Sequence, residues 1–134
     1  MNKTNNILIL LNIIFLFYYS IQLLIFTDEF SISNLGSFNH AIAGLSEIIG
    51  IIFLSLALSL IFIIRNNIKG QIPIFFTIFL IQLLIFINFL RYIFTNSPGE
   101  TSIKSIALNA MIFFIGLFVS IIFLIKNYKI LKQF

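Results

Sequence analysis

Four apolar runs, each at least 20 residues long, constrain this chain more than any other feature. They are Ile7–Phe26, Ala41–Ile64, Ile72–Phe94 and Ile103–Ile125. A helix rises about 1.5 Å per residue, so about 20 residues cross the roughly 30 Å hydrocarbon core of a bilayer. The sequence therefore predicts an all-α fold, a bundle of four transmembrane helices that makes residues 1–134 a single membrane domain.

The composition leaves little chain for anything outside the bilayer. Only 9% of the residues are charged, whereas ordinary globular proteins have about 25%. The polar connections are short: Thr27–His40, Arg65–Gln71 and Thr95–Ser102, the last with a turn at Pro98-Gly99. We therefore expect this protein to act in or at the membrane, with the lipid bilayer as its first partner.

The distribution of basic residues predicts the orientation. Cytoplasmic segments of membrane proteins carry an excess of lysine and arginine. Only Arg91 and Lys104 fall on one side of the predicted spans, and the other six basic residues fall on the opposite side: Lys3, Arg65, Lys69, Lys126, Lys129 and Lys132. This pattern indicates a multi-pass protein of the inner (plasma) membrane with both termini in the cytoplasm.

Residue content excludes several kinds of site. The chain has no cysteine, which excludes disulfides, thiolate catalysis and iron–sulfur clusters. His40 is the only histidine, so one chain cannot supply bis-histidine haem ligation. The net charge of +4 is explained by the topology-determining lysines and does not indicate nucleic-acid binding. We expect no cofactor, no metal and no catalytic constellation.

Small and polar residues are expected to mark the faces on which helices pack in lipid. At alternating three- and four-residue steps, each span contains one such face. The predicted faces are Asn5, Asn12, Tyr19 and Gln22; Ala43, Glu47, Gly50, Leu54 and Ala57; Thr77, Leu84, Asn88, Arg91 and Thr95; and Ser105, Asn109, Gly116, Ser120 and Asn127.

Five of these polar residues fall at similar depth, one to two turns below the outer surface: Gln22, Glu47, Asn88, Arg91 and Asn109. A charge within a span is costly and normally has a partner. We therefore predict a buried Glu47–Arg91 ion pair, direct or through water, with the three amides around it and with His40 at the mouth of the second span. The pair would either fix helix register or bind a ligand or a proton. Arg91 has the further option of extending to the surface.

A set of short motifs resembles the DoxX-like group of small four-helix bacterial membrane proteins. These motifs are Ala43-Gly44 and Gly50 in the second span, Arg91 at the end of the third, and the following Pro98-Gly99. The resemblance covers about residues 35–125, with Ala43 and Leu90 standing where the group commonly has glycine. It implies the bundle fold and a role for Arg91.

Three functions are open at this point. The first is a non-enzymatic accessory or structural component, associated with a membrane-protein partner or with further copies of itself. The second is a binder or carrier of a small anionic or amphipathic molecule at the outer-half polar cluster. The third is an intramembrane enzyme with Glu47 as its acid–base group. The absence of any recognisable catalytic constellation favours the first.

Overall fold

The computed structural model describes residues 3–95 and 102–133, and all regular structure in these residues is helical. Four helices, α1, α3, α4 and α5, are long and apolar enough to cross a membrane. This confirms the predicted four-helix transmembrane fold. The Pro98-Gly99 turn and Glu100 lie outside the described residues. The helices are α1 (Lys3–Leu24), α2 (Thr27–Leu35), α3 (His40–Asn66), α4 (Ile72–Thr95) and α5 (Ile103–Leu131).

Some helices continue beyond the apolar runs that predict them. α1 begins at Lys3, four residues before Ile7, and α5 continues from Ile125 to Leu131. At 29 residues, α5 is about 44 Å long at 1.5 Å per residue, which exceeds a hydrocarbon core of about 30 Å. Hydropathy therefore marks the lipid-immersed part of each helix, and the polar ends extend it towards water.

The short helix α2 was not predicted, since its residues were expected to form a loop. Asp28 and Glu29 lie in its first turn, where negative charge interacts favourably with the helix dipole. At its end, Gly36 adopts a left-handed conformation (φ 70°) and donates its backbone N–H to the Ile32 carbonyl. Glycine adopts this conformation without the steric cost of a Cβ atom. α2 packs against α1, α3 and α5.

α1 and α5 form the centre of the bundle. α3 packs along α1, α4 packs along α5, and α1 and α5 pack against each other. A hydrogen bond joins Asn5 near the start of α1 to Asn127 near the end of α5. This end, which also holds residues 67–71 between α3 and α4, is called the terminal end below. The opposite end is called the α2 end.

The α1–α3 contact depends on a glycine. A Cβ atom added to Gly50 of α3 would lie 2.8 Å from Leu24 Cγ and 3.1 Å from Leu23 Cβ. Small residues allow the backbones of membrane helices to approach closely. Large apolar side chains fill much of the interior, with Ile9, Leu16, Leu60 and Phe123 fully buried.

Candidate functional site

Buried polar side chains form three layers along the bundle, set by the spacing on α1. Asn5, Asn12 and Tyr19 follow each other at seven-residue intervals and are all buried. Seven residues are nearly two helical turns, so the three side chains share one face and lie about 10 Å apart. The terminal layer consists of Asn5 and Asn127. The central layer consists of Asn12, Gln82 and Ser120. The α2-end layer consists of Tyr19, Asn34, Ser105 and Asn109.

The central layer joins three helices at mid-depth. Gln82 Nε2 of α4 donates to Asn12 Oδ1 of α1 over 3.0 Å. Ser120 Oγ of α5 lies 2.8 Å from the same Asn12 oxygen and 2.6 Å from Gln82 Oε1, and its single proton is donated to either. Asn12 Nδ2 donates to the Leu8 carbonyl. Gln82 is fully buried, and both its Nε2 and its Oε1 take part in hydrogen bonds to protein groups.

Gly116 makes room for the Gln82 amide. A Cβ atom at this position would lie 2.9 Å from Gln82 Nε2 and 3.1 Å from the Phe15 ring. Phe15 in turn packs edge-on against Phe113, with ring centroids 5.0 Å apart, and Phe113 packs on Tyr19 at 4.7 Å. An aromatic cluster therefore separates the central layer from the α2-end layer.

The α2-end layer connects the short helix to the bundle. Tyr19 donates its hydroxyl to Asn109 Oδ1 over 2.8 Å. Asn109 Nδ2 donates to Asn34 Oδ1 of α2 over 2.7 Å, and Ser105 donates its hydroxyl to the same oxygen. Asn34 Nδ2 donates to the Phe30 carbonyl within α2. These bonds fix α2 across the ends of α1 and α5.

The terminal layer leaves one acceptor unpaired. Asn127 Nδ2 donates to the Phe123 carbonyl over 3.0 Å, so Asn127 turns its Oδ1 towards Asn5. Asn5 donates Nδ2 to that oxygen. Asn5 Oδ1 is then left buried, without a hydrogen-bond partner among the described residues. Buried polar atoms are nearly always paired, so each exception needs an explanation.

The predicted packing faces of the first and last spans are largely confirmed. In the first, Asn5, Asn12 and Tyr19 are buried, and Gln22 is half-buried. In the last, only Ser105 is half-buried, and the other members are buried: Asn109, Gly116, Ser120 and Asn127. The alternating three- and four-residue spacing therefore predicts the buried faces of α1 and α5 correctly.

The predicted burial of Glu47 and Arg91 is wrong, because both side chains are exposed. On α3 the buried face contains Ser46 and Gly50, which places Glu47 about 100° away from Ser46 at one helix step. The Arg91 guanidinium lies over the Tyr92 ring, 5.0 Å from its centroid. α3 and α4 are joined at the terminal end and make few backbone contacts elsewhere, so these two residues, near the α2 end, are not brought together.

The other members of the predicted cluster are also dispersed. Asn88 and His40 are exposed, the latter as the first residue of α3. Gln22 is half-buried, and only Asn109 lies in the interior. The predicted face of the third span is wrong as a whole, because its members are all exposed: Thr77, Leu84, Asn88, Arg91 and Thr95. α4 buries Phe75, Ile78 and Gln82 instead.

Sequence reasoning missed Gln82 and Asn34. Gln82 is the one amide between Thr77 and Asn88 in an otherwise apolar run, and an isolated amide at mid-span was the signal that it faces other helices. Asn34 was assigned to a loop because α2 was not predicted. Within the described residues, no three histidine, aspartate or glutamate side chains lie close enough together to hold a metal ion.

The exposed positions of Glu47 and Arg91 predict that their charges contribute independently to stability. Glu47→Gln is expected to change the free energy of unfolding by less than about 0.5 kcal/mol. Arg91→Gln loses only an exposed cation–π contact, worth about 0.5–1 kcal/mol. In a double-mutant cycle measured by denaturation in mixed micelles, the coupling should stay below about 0.5 kcal/mol. A coupling well above that value would show that the two charges interact.

Comparisons with protein-family models, with curated proteins and with solved structures find no match to this chain. The resemblance to the DoxX-like group stays a prediction that rests on the short motifs quoted above.

Proposed function

We propose that this protein is a non-enzymatic component of the inner (plasma) membrane, with cytoplasmic termini, that acts by associating with another membrane protein. The observation that carries this proposal is the nature of the polar interior. The central layer consists of two amides and a hydroxyl that satisfy one another. Such a layer fixes helix register.

The distribution of charge supports the same function. The acidic residues Asp28, Glu29 and Glu47 are exposed, as is His40. The basic side chains that the structure describes are exposed as well: Arg65, Lys69, Arg91, Lys104, Lys126, Lys129 and Lys132. An acid–base role for Glu47 would require it to face a substrate site inside the bundle. The exposed surface is therefore where this protein meets its partners.

Site-specific photo-crosslinking in intact membranes tests this proposal. A benzophenone amino acid is placed singly at Ile14, Ile48, Leu84 or Ile115, which lie on four different helices and are each 55–61% exposed. A stable partner should give one protein product of defined mass from one or two of these positions. The fully buried Leu60 is the control position and should give none.

The position dependence distinguishes a partner from random encounters in the membrane. Random collisions would label the four exposed positions to similar extents, because their exposures match. Equal labelling of all four positions, or lipid adducts alone at every position, would contradict an accessory role. A product that consists of two copies of this chain would identify the partner as a second copy.

The alternative function, ligand binding at the outer-half polar cluster, loses the two charged residues on which it rested. A binder of an anionic or amphipathic molecule was expected to use Glu47 and Arg91, and both face outward. The terminal end offers a recess with an arginine and an unpaired acceptor instead.

A further inference from the structure

The terminal end contains a recess of about 320 Å³ beside the terminal layer. This volume falls in the range typical of small-molecule sites, about 300–1,000 Å³. It is lined by the polar residues Asn5, Arg65, Asn66 and Asn67 and by the apolar residues Ile64, Ile68 and Ile130. The recess therefore combines a cation, amides and an apolar wall.

The recess lies at the level of lipid headgroups. Arg65 is one residue from the end of α3 at Asn66, and Asn5 is two residues from the start of α1 at Lys3. Both are thus at the ends of membrane-spanning helices, where the hydrocarbon gives way to the polar interface. A membrane lipid can reach this recess with its headgroup while its chains stay beside the apolar wall.

The unpaired Asn5 oxygen defines one requirement of the ligand. Asn5 is 5% exposed, and its Oδ1 has no partner among the described residues. The orientation of its amide is set by Asn127, whose own Nδ2 is engaged by the Phe123 carbonyl. A carbonyl oxygen only accepts, so the ligand that completes this site must donate a hydrogen bond.

Charge defines the second requirement. Arg65 is exposed in the recess, and its guanidinium has the geometry to bind a phosphate through paired N–H donors. The described acidic residues Asp28, Glu29 and Glu47 all lie in α2 or in the half of α3 nearest to it. The terminal end instead carries further basic residues: Lys69, Lys126, Lys129 and Lys132. These basic residues favour the binding of a lipid whose headgroup has a net negative charge over a zwitterionic lipid.

We propose that the recess binds an anionic phospholipid whose headgroup has a free hydroxyl, as in phosphatidylglycerol. Arg65 binds the phosphate, Asn5 Oδ1 accepts a hydrogen bond from the headgroup hydroxyl, and the isoleucines contact the glycerol backbone and the upper acyl chain. This site is independent of the protein partner proposed above, because it is complete within one chain.

The test is lipid binding to the purified protein in detergent, measured as Kd by native mass spectrometry. Three lipids with the same acyl chains separate the two requirements. Phosphatidylglycerol has the charge and the hydroxyl, phosphatidylmethanol has the charge alone, and phosphatidylcholine has neither. We expect phosphatidylglycerol to bind about tenfold more tightly than phosphatidylmethanol, the difference made by one good hydrogen bond to a buried acceptor. Phosphatidylcholine should bind most weakly.

Two variants in the recess, each paired with a comparison variant, assign the effect to it. Arg65→Gln should weaken both anionic lipids about tenfold. Lys129→Gln makes the same charge change at the same end outside the recess, and should cost only about two- to threefold through long-range attraction. Asn5→Leu should remove the preference for phosphatidylglycerol over phosphatidylmethanol. Asn127→Leu breaks the same interhelical bond but keeps the Asn5 oxygen, so it should reduce that preference less than Asn5→Leu does.

Several results would overturn the proposal. Equal binding of phosphatidylglycerol and phosphatidylmethanol to the unchanged protein would show that Asn5 does not recognise a donor. Equal losses for Arg65→Gln and Lys129→Gln would show that the cation acts only through net charge. Displacement of the lipid by millimolar glycerol phosphate would reassign the recess to a soluble phosphate ester. If Asn5→Leu does not fold, the lipid series and the Arg65 comparison decide the question.

Discussion

Replacing Gly50 with alanine is expected to lower the free energy of unfolding by about 1–3 kcal/mol, the usual cost of overpacking a tight contact. The new methyl group would lie 2.8 Å from Leu24 Cγ, a branched atom near the backbone that cannot move aside without shifting α1. The loss should appear as an earlier transition when helicity is followed by circular dichroism during titration of dodecyl maltoside micelles with dodecyl sulfate.

The chain contains its own control for this prediction. Gly44 lies on the same helix, and a Cβ atom added there meets nothing within 4 Å. Gly44→Ala should therefore be neutral or stabilising by up to about 1 kcal/mol, because alanine is the better helix former. If the two variants unfold together, the close approach of α1 and α3 at Gly50 does not contribute to stability.

The second large effect is expected in the central layer. Asn12 Oδ1 accepts from Gln82 Nε2 and also lies within hydrogen-bond distance of Ser120 Oγ, whose single proton goes either to it or to Gln82 Oε1. Asn12→Leu removes this acceptor and leaves the Gln82 donor buried and unpaired, at a cost of about 1–3 kcal/mol. Gln82→Met leaves Asn12 Oδ1 with the Ser120 donor, so it should cost less, close to the ~0.6 kcal/mol typical of hydrogen bonds between membrane helices.

The cost of Asn12→Leu, measured in the unchanged protein and in a variant that lacks both hydrogen-bond partners, tests the contribution of these hydrogen bonds. When Gln82→Met and Ser120→Ala are already present, Asn12→Leu no longer leaves a donor unpaired, so its cost should fall by about 1 kcal/mol or more. An Asn12→Leu cost that is unchanged between the two backgrounds would argue against a mutually satisfied layer. The same denaturation assay provides the measurement.

The sequence predicts the four spans and the packing faces of the first and last, but not the positions of Glu47 and Arg91. The difference arises from how deep each polar residue lies within its helix. Asn12 and Ser120 lie nine and eleven residues inside the ends of α1 and α5, where a short polar side chain has no water and must face another helix. Their positions on the packing faces were therefore predictable. Glu47 and Arg91 lie near the ends of their spans, where a long side chain reaches the interface from a lipid-facing position. A charge there carries little information about which way its helix is turned.

α2 was unpredictable from hydropathy for a related reason. Hydropathy detects helices that are immersed in lipid, and α2 has a polar sequence with Asp28 and Glu29 at its start. Its signals are local, namely the acidic first turn and the glycine at position 36 that ends it. The bond from Asn109 to Asn34 depends on a tertiary arrangement that no local signal specifies.

The three polar layers also impose an order on biosynthesis. The bonds between α1 and α5 join residues that are 122, 108 and 90 positions apart in the chain. α1 is synthesised first, so Asn5, Asn12 and Tyr19 have no α5 partner until the last helix leaves the ribosome. A nascent chain that ends at Thr95 therefore has three incomplete layers, which gives the cell a chemical distinction between an unfinished and a finished bundle.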